Sequence, residues 1–356
     1  MLLTNFQKFR KQINSFDLQI MELLNKRMEI VKEINKIKKK NKMDYYDPKR
    51  EKEIVNSLIK LNKGFLPNNT LKNIYQEIFF AARSLDEQIN IAYWGPEGTF
   101  THMAAIKQFG INSNFVSMKS IKNVFESVAQ EYVKFGVVPI ENSTEGIINY
   151  TLDMFVDIDL KIWAEIKLEI HQHLLSKFEK SDIKRIYSQP YAIAQTREWI
   201  EKNFNNSQII EVATTAVATK IASEEEGSAA IGSELASKIY KLNIVSKNIE
   251  DNPNNATRFL IISKEFNKNK TKNNKTSIMV LIKDKVGALY EMLKLFADNN
   301  INLTKIESRP SKLKQWEYYF FIDFCGYYKE KKIKKVLEEL KKNCLLLKIL
   351  GSYSIL

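Results

Sequence analysis

The first forty residues alternate between apolar and polar positions with helical spacing. Apolar side chains recur every three or four residues, at Phe6, Phe9, Ile13, Phe16, Ile20, Leu24, Val31 and Ile34. No glycine or proline interrupts this pattern before Pro48. The spacing predicts one helix over residues 5–40, which would be ~54 Å long at 1.5 Å per residue. A helix longer than a small domain can bury such a stripe only against partners, so we expect a homodimer or a larger homo-oligomer.

Two further helices are predicted in the N-terminal region. A shorter helix follows the segment DPKRE, a loop covers Gly64 to Asn69, and TLKNIYQEIFFAARSLDEQ predicts a third helix. We therefore interpret residues 1–88 as an all-α domain, a helical bundle.

The pattern changes near residue 89. INIAYWG predicts a strand that ends in GPEGT, and strands then alternate with helices until about residue 264, so residues 89–266 are predicted to form an α/β domain. NKNKTKNNK, residues 267–275, is predicted to be a polar linker because it has no means of building a core. From Thr276 the order strand, helix, strand, strand, helix, strand predicts an α+β, ferredoxin-like domain over residues 276–356.

Composition narrows the class of protein. A chain of 356 residues, 44% hydrophobic and 27% charged, is typical of a globular protein with two or three domains. No apolar run approaches the roughly 20 residues that a membrane helix needs, and the N-terminus lacks the pattern of a secretory signal. Two cysteines and three histidines provide neither a disulfide framework nor a metal site, so we expect a cytoplasmic protein without metal. His171 and His173 are interpreted as partly exposed strand residues.

The net charge of +13 raises the possibility of a nucleic-acid partner. The lysines are spread along the chain, often beside asparagine and isoleucine, rather than gathered with aromatic residues in one motif. We therefore predict neither a nucleic-acid nor a membrane partner. A basic surface can still steer an anionic substrate toward its site.

Three cations interrupt the apolar stripe of the first helix. Arg10, Arg27 and Lys38 fall on its register, where unpaired charges inside a bundle are costly. Any one of them can extend to the surface along its aliphatic stem. Three on one stripe, with Asp47, Arg50 and Glu51 just beyond the turn, favour a buried anion site.

This arrangement, together with DPKRE, resembles the all-helical chorismate mutases. Their reaction is a unimolecular Claisen rearrangement of chorismate to prephenate, which needs no cofactor. Catalysis requires that the dicarboxylate is held in its folded conformer and that charge is placed against the polarised transition state. The resemblance implies that Arg10, Arg27 and Arg50 hold carboxylates, with Arg10 reaching into the partner subunit's site.

The same resemblance implies roles for the remaining mutase residues. Lys38 would stabilise the ether oxygen as its bond breaks, and Asp47 and Glu51 would bind the substrate hydroxyl. Asp86 aligns with a position in the last helix where the family has glutamine or glutamate, and Gln88 follows two residues later. Both are candidates for the group that faces the ether oxygen.

In the α/β region, polar residues follow a buried strand at once. After Gly136 to Ile140 come Glu141, Asn142, Ser143 and Thr144, whereas a plain turn needs one or two such residues. Open α/β sheets bind ligands at the carboxyl ends of their strands. Six segments of this region occur in a fixed order: YWGPEGTFTHMAA (93–105), VVPIENSTEG (137–146), YSQPYAIAQT (187–196), ATTAVA (213–218), AAIGSELAS (229–237) and NNATRFLIIS (254–263).

Together these segments resemble prephenate dehydratase over residues 91–264. The family fold is two α/β lobes around a cleft, like that of periplasmic binding proteins, and the chain would leave the first lobe near residue 166 and return near residue 247. Prephenate loses CO2 and its ring hydroxyl, which requires anchors for two carboxylates and one acid, with no metal or cofactor.

The resemblance assigns Thr257 as the group that donates to the departing hydroxyl and Arg258 as an anchor for the substrate. Asn142 and Gln195 would position the substrate, and other polar residues would line the cleft: Thr99, Glu141, Ser143, Ser188 and Thr214. Gln189 replaces the histidine that the family usually has before the proline of this motif.

The C-terminal segment DKVGALYEMLKLFADNNINLTKIESRP resembles an ACT regulatory domain. In dehydratases of this type two loops bind L-phenylalanine at a dimer interface. The corresponding residues are Gly287, Ala288 and Leu289 at the start of a helix and Glu307, Ser308, Arg309 and Pro310 at the end of the next strand. Tyr290 stands where a valine is usual and would narrow the pocket.

The combined interpretation is a bifunctional chorismate mutase and prephenate dehydratase of phenylalanine biosynthesis, regulated by L-phenylalanine. The expected small-molecule partners are chorismate, prephenate and L-phenylalanine. The alternative is a non-catalytic, two-lobed ligand-sensing protein in which the helical region serves only for dimerisation.

Overall fold

The computed structural model describes residues 2–41, 47–83, 85, 89–268, 270–271, 273–283, 285–311 and 317–354. The chain divides into two compact units, residues 1–89 with 110–113 and residues 90–109 with 114–356. Within the described ranges, no helix is long and apolar enough to cross a membrane.

The first unit is helical, as the periodicity predicts. Its described helices are α1 (Leu2–Lys40), α2 (Pro48–Leu61) and α3 (Asn68–Arg83). The Asp47 side chain caps α2 by accepting a hydrogen bond from the backbone N–H of Arg50 at 3.0 Å. Phe79 and Ala82 of α3 are buried, whereas most apolar residues of α1 are exposed in the single chain.

The second unit begins with the first lobe of the α/β region. Its elements are β1 (Asn90–Trp94), α4 (Phe100–Phe109), β2 (Asn114–Met118), α5 (Ile121–Ala129), β3 (Phe135–Asn142), β4 (Gly146–Ile147), α6 (Asn149–Asp157) and β5 (Lys161–Glu169). Strands β1, β2 and β3 run parallel; β1 and β3 are largely buried, whereas β2 is partly exposed.

The second lobe follows along the chain. Its elements are β6 (His173–Ser176), a short 3₁₀ turn at Lys180–Asp182, β7 (Arg185–Ser188), α7 (Pro190–Ala194), α8 (Arg197–Asn203), β8 (Gln208–Glu211), α9 (Thr215–Glu224), β9 (Ser228–Gly232), α10 (Glu234–Tyr240) and β10 (Asn243–Ser246). Its strands are ordered β10-β6-β9-β7-β8. This lobe contradicts one expectation, because His173 is buried rather than partly exposed.

Strand β11 (Ala256–Ser263) then returns to the first lobe and completes the sheet order β2-β1-β3-β11-β5. It pairs antiparallel with both β3 and β5. The chain thus leaves the first lobe after Glu169 and returns before Ala256, close to the two crossings expected from the sequence.

The C-terminal region has the predicted βαββαβ order. Its elements are β12 (Asn274–Ile282), α11 (Ala288–Asp298), β13 (Leu303–Pro310), β14 (Tyr318–Cys325), α12 (Lys331–Asn343) and β15 (Cys344–Ser354), with the sheet order β13-β14-β12-β15. One core joins this sheet to the first lobe, because Met279, Phe321 and Tyr353 pack in the same cluster as Ile140 and Phe155.

The prediction of a free polar linker at residues 267–275 is wrong. Asn267 is buried and donates to the backbone carbonyl of Trp163 at 3.0 Å, and β12 already begins at Asn274. Asparagine amides can bond to backbone groups when they are buried, so a polar composition alone does not make a segment a tether.

Candidate active sites

The helical unit contains a cavity of about 320 Å³ between α1, α2 and α3. It is lined by charged, amide and apolar side chains: Arg27, Ile30, Val31, Ile34, Asn35, Lys38, Asp47, Arg50, Glu51, Ile54, Phe79, Ala82 and Arg83. Among these described residues four cations face two carboxylates, which leaves an excess of two positive charges. That excess matches a ligand with two carboxylates.

Arg27 is the strongest sign that this cavity suits an anion. Its Nη1 atom is buried and has no hydrogen-bond partner in the described part of the chain. The guanidinium stacks over the Phe79 ring at 5.4 Å from the centroid, which holds its plane. A buried cation that lacks a hydrogen-bond acceptor is costly unless a ligand supplies one.

Glu51 differs electrostatically from an exposed carboxylate. Burial raises its pKa, and Asp47 adds to the rise, while Arg83 and Arg27 oppose it. The Nη2 atom of Arg83 lies 3.2 Å from Oε2 of Glu51. A carboxyl group held in this way is able to accept a hydrogen bond from a substrate hydroxyl at the cavity wall.

Two cavity residues are absent from the set inferred from the sequence. Asn35 is buried on the wall, and it lies four residues after Val31 on the same stripe as Lys38. Arg83 lies one turn after Phe79 in α3. Helical spacing from Val31 and Lys38 would have identified Asn35.

One predicted mutase residue, Arg10, does not line this cavity in the single chain. Arg10 is exposed, with its guanidinium over the Phe6 ring of its own helix. Asp86 and Gln88 lie outside the described residues. Their roles remain predictions.

A second cavity, of about 400 Å³, lies in the cleft between the two lobes of the α/β region. Five predicted residues line it: Thr99, Asn142, Gln195, Thr214 and Thr257. Aromatic and apolar side chains form much of the remaining wall, including Trp94, Phe100, Tyr191 and Phe259. This combination suits a ring that carries polar substituents.

Backbone donors determine how Asn142 is oriented in this cleft. Its Oδ1 accepts the backbone N–H groups of Thr144 and Glu145 at 3.0 and 3.1 Å, so its Nδ2 must face the other way. That Nδ2 donates to Oγ1 of Thr257 at 2.8 Å and to Oδ1 of Asn255 at 2.9 Å. The Thr257 oxygen is therefore an acceptor from Asn142, and its own hydrogen remains available to donate elsewhere.

The amide chain continues across the cleft to the second lobe. Asn255 donates through Nδ2 to Oε1 of Gln195 at 3.0 Å, and Gln195 donates to Oγ1 of Thr144 at 3.3 Å. The Oε1 atom of Gln172, on the cavity wall, is buried without a partner among the described residues. Asn255, Thr144 and Gln172 were missed, although the first two lie inside the segments that single out this region.

Two helix N-termini also face the cleft. Phe100 and Thr101 begin α4, and Thr214 and Thr215 begin α9, and all four line the cavity. Thr214 caps α9 by accepting from the Val217 N–H at 3.1 Å. The free N–H groups and the dipole of a helix N-terminus favour anions, so one carboxylate can be held from each lobe without a cationic side chain.

Four residues predicted for the cleft point elsewhere. Ser188 is fully buried and donates to the carbonyl of Ile231 at 3.0 Å, and Ser143 accepts from the Ala256 N–H at 2.9 Å. Glu141 and Arg258 pair with each other at 2.7 Å on the opposite face of the sheet. Alternate residues of a strand face opposite sides, so the neighbours of Asn142 and Thr257 cannot share their cleft.

The predicted regulatory residues lie in two segments, at the start of α11 and at the end of β13. Gly287 has a φ of 80° and precedes α11, which begins at Ala288, while Leu289 and the ring of Tyr290 are exposed. Glu307, Ser308, Arg309 and Pro310 end β13, which pairs with β14. Arg309 is bonded to Asp153 of α6 through two hydrogen bonds of 3.0 Å.

The fold and the two cavities define a class of protein before any comparison. The chain combines two cavities, one in each unit and each with groups that suit a small anion, with an α+β domain of βαββαβ order. No cluster of three or more histidine, cysteine, aspartate or glutamate side chains suited to a metal ion occurs among the described residues.

Comparisons with known proteins give the family. A family model of chorismate mutase type II matches residues 9–87, one of prephenate dehydratase matches residues 91–267, and one of the ACT domain matches residues 276–344. A bifunctional chorismate mutase/prephenate dehydratase of Aquifex aeolicus is 45% identical over 98% of this chain and 97% of its own length. The protein of the same name from Pseudomonas aeruginosa is 41% identical over 97% of this chain and 96% of its own.

A solved structure extends the similarity. Prephenate dehydratase from Arthrobacter aurescens in complex with L-Phe superposes with a TM-score of 0.70 at 31% identity, over 75% of this chain and 90% of that one. The chain belongs to the bifunctional chorismate mutase/prephenate dehydratase family. The alternative of a non-catalytic sensor is not favoured by these relatives.

Proposed function

We propose that this protein rearranges chorismate to prephenate in the helical unit and converts prephenate to phenylpyruvate in the interlobe cleft. The product of the first reaction is the substrate of the second. The observation that carries the proposal is the orientation of Thr257. Its oxygen accepts a hydrogen bond from Asn142, so its hydrogen is free to donate within the cleft, where the groups that bind anions are uncharged.

In the helical cavity the proposed chemistry is electrostatic. Arg27 and Arg50 hold the two carboxylates and keep chorismate in its folded conformer. Lys38 places positive charge next to the ether oxygen, where negative charge develops as the C–O bond breaks. Glu51, with its raised pKa and its contact to Arg83, accepts a hydrogen bond from the substrate hydroxyl.

In the cleft the proposed chemistry is elimination. The ring carboxylate leaves as CO2, and its bonding electrons move through the ring and expel the hydroxyl at the opposite carbon. That hydroxyl takes the proton of Thr257 and leaves as water, a proton from solvent restores the Thr257 hydroxyl, and formation of the aromatic ring drives the step. The N-termini of α4 and α9 hold the carboxylates, Asn142 keeps Thr257 in place, and Gln195 positions the substrate.

The assembly that we propose is a homodimer built on α1. The stripe of Phe6, Phe9, Ile13 and Phe16 is 57–63% exposed in the single chain, which is a large apolar surface for a protein to leave in water. Arg10 lies on this face and does not line its own chain's cavity. Pairing of two α1 helices would cover the stripe and bring Arg10 to the partner's site.

L-phenylalanine is the proposed effector. The support is the ACT match and the L-Phe that is named with the Arthrobacter relative. We propose the cytoplasm as the compartment, since Cys325 and Cys344 are both free thiols.

A turnover assay tests the two activities separately. The purified chain is given chorismate or prephenate, and the loss of chorismate and the appearance of phenylpyruvate are followed independently. We expect both reactions, and inhibition of the second by L-phenylalanine. Binding of either acid without turnover would contradict the proposal.

A further inference from the structure

The charged residues next to the catalytic pair form a compact cluster that the proposed reaction does not use. Arg258 contacts three carboxylates, Glu141 at 2.7 Å, Glu165 at 2.9 Å and Asp323 at 3.2 Å. Lys275 lies 2.7 Å from Glu165, and Lys305 lies 3.3 Å from Glu141. All six side chains are at most 30% exposed.

This cluster is divided between the dehydratase region and the ACT sheet. Strands β3, β5 and β11 contribute Glu141, Glu165 and Arg258, which is one cation with two carboxylates. Strands β12, β13 and β14 contribute Lys275, Lys305 and Asp323, which is two cations with one carboxylate. Neither side is balanced alone, and only the assembled sheets neutralise the partly buried charge, as such a site requires.

The cluster lies directly behind the proposed catalytic pair. In the ladder between β3 and β11, Thr257 is opposite Asn142, and Arg258 is opposite Glu141. The first pair faces the cleft and hydrogen-bonds there, while the second faces the ACT sheet. A shift of Arg258 or Glu141 therefore moves the backbone that carries Thr257 and Asn142.

Electrostatics keep Arg258 charged. Burial opposes the charge of Arg258, but Glu165, Asp323 and Glu141 outweigh it and raise its pKa above the ordinary value. Burial lowers the pKa of Lys305, while Glu141 opposes that shift. Lys305 belongs to β13, the strand that ends in Glu307 to Pro310, so a displacement of that strand reaches Glu141 directly.

We propose that Arg258 is a positioning residue, which holds the Asn142–Thr257 pair in its catalytic geometry from the ACT side, and that Lys305 links the effector strand to it through Glu141. The proposal rests on the function proposed above and deepens it, since it names the route from the regulatory domain to the active site. It also replaces the role of substrate anchor that the motif implied for Arg258.

The first test compares Arg258→Met with Arg258→Lys in the full-length protein. We expect Arg258→Met to lower the dehydratase kcat at least tenfold with KM changed less than about twofold, because Arg258 does not touch substrate. Arg258→Lys should recover part of the loss. Mutase activity of the same samples, which belongs to the other unit, should stay unchanged, and circular dichroism reports on folding of the dehydratase region. A rise in KM at constant kcat would identify an anchor and overturn the proposal, as would unaltered kinetics.

The second test uses a milder change with a matched control. Lys305→Met should leave the basal kcat within about twofold and raise the half-inhibiting concentration of L-phenylalanine at least fivefold. Lys348 on β15 is a matched control, because its side chain is 16% exposed and that of Lys305 is 12% exposed. Lys348 also bonds to the dehydratase region, where it donates to the carbonyls of Phe155 and Ile158. Lys348→Met should leave inhibition unchanged, because Lys348 has no contact with Glu141.

An equal shift in both lysine variants would indicate general loosening and overturn the proposed route, and so would unchanged inhibition in Lys305→Met. Wild-type dehydration and its inhibition, measured first, report on the proposed function itself. If both are present, an unexpected result in the variants refutes only the role of Arg258 and Lys305.

Discussion

Thr257 and Arg258 are consecutive residues with opposite surroundings. Thr257 lines the cleft, and Arg258 lies behind the sheet among three carboxylates. The Thr257 hydroxyl and the Asn142 amide together form the part of the cleft in which a proton can be donated in a defined direction. The role of each of these residues depends less on its neighbours in the sequence than on the face of the sheet on which its side chain lies.

Thr257→Val keeps the shape of the side chain and removes the donor. We expect the dehydratase kcat to fall by roughly 10²- to 10⁴-fold, the range associated with loss of a general acid. Mutase activity should change little, because Lys38 and the other mutase residues lie in a separate unit. The measurement is the rate of phenylpyruvate formation from prephenate.

Thr257→Ser is the matched control, since it retains the hydroxyl that Asn142 contacts. It should keep most of the activity. If the valine variant were as active as the serine variant, Thr257 would not be the proton donor.

Lys38→Ala tests the helical cavity. It removes one of the four cations that line the cavity. We expect the mutase kcat to fall by roughly 10²- to 10³-fold, as when a group that stabilises developing charge is lost. Dehydratase activity on added prephenate should be retained. Undiminished rearrangement of chorismate would refute the role assigned to Lys38.

At the scale of elements, the surroundings of α1 are incomplete in a single chain. Its C-terminal half lines the cavity through Arg27, Val31 and Lys38, while Phe9 and Phe16 in its N-terminal half are exposed. The helix spans 39 residues and is therefore ~58 Å long at 1.5 Å per residue. A helix of this length is too long for α2 and α3 of the same chain to cover completely.

Phe16→Glu places a charge on the exposed stripe of α1. We expect a shift from dimer to monomer, because a carboxylate in a helix–helix interface loses its hydration without gaining a partner. Mutase activity should fall at least tenfold along with dimerisation, if Arg10 acts in the partner's site. The measurements are light scattering and the rate of chorismate loss.

Lys11→Glu is the control for this change. Lys11 is also exposed on α1 but lies on the opposite side of the helix from Ile13. It should leave the oligomeric state intact. Monomeric wild-type protein, or a Phe16→Glu variant that stays dimeric, would contradict the assembly proposed here.

At the scale of the whole second unit, the dehydratase and ACT regions share one core. Gly351 of β15 approaches β5 so closely that a Cβ at this position would lie 2.1 Å from the carbonyl oxygen of Ile162. Tyr353 and Leu350 of the same strand pack with Phe155 of the first lobe. A regulatory domain packed in this way can act on the cleft through direct contacts.

Stability of this unit should depend on pH through two buried histidines, one in each lobe. His102 accepts the Gly98 N–H at 3.2 Å and His173 accepts the Asn248 N–H at 3.1 Å, both through Nδ1, so both rings are held in the neutral form. Burial lowers the pKa of each below 6.5, while Glu97 opposes the shift for His102 and Glu250 opposes it for His173. The unfolded chain therefore binds more protons as the pH falls below 6.5.

The expected outcome is a lower melting temperature at pH 5.5 than at pH 7.5. His102→Asn and His173→Asn retain a hydrogen-bond acceptor but do not titrate, so the double variant should show a flatter pH profile. A profile as steep as that of the wild type would assign the pH dependence to other groups.

The sequence alone determined the features that depend on local spacing. The extent of α1, the βαββαβ order of the C-terminal region and the position of Thr257 within its segment all follow from neighbours along the chain. Helical periodicity also places Arg27 and Lys38 on one face. These features need no knowledge of which distant segment packs against them.

Only the tertiary structure decided which faces those residues meet. The pairing of β11 with β3 turned Arg258 and Glu141 toward the ACT sheet, and burial of Asn267 changed an expected linker into part of the packed unit. The physical reason is that strand pairing joins residues more than a hundred positions apart, here Thr257 and Asn142. No turn joins β3 to β11 to fix the register of that pairing, and a shift of one residue reverses every side chain.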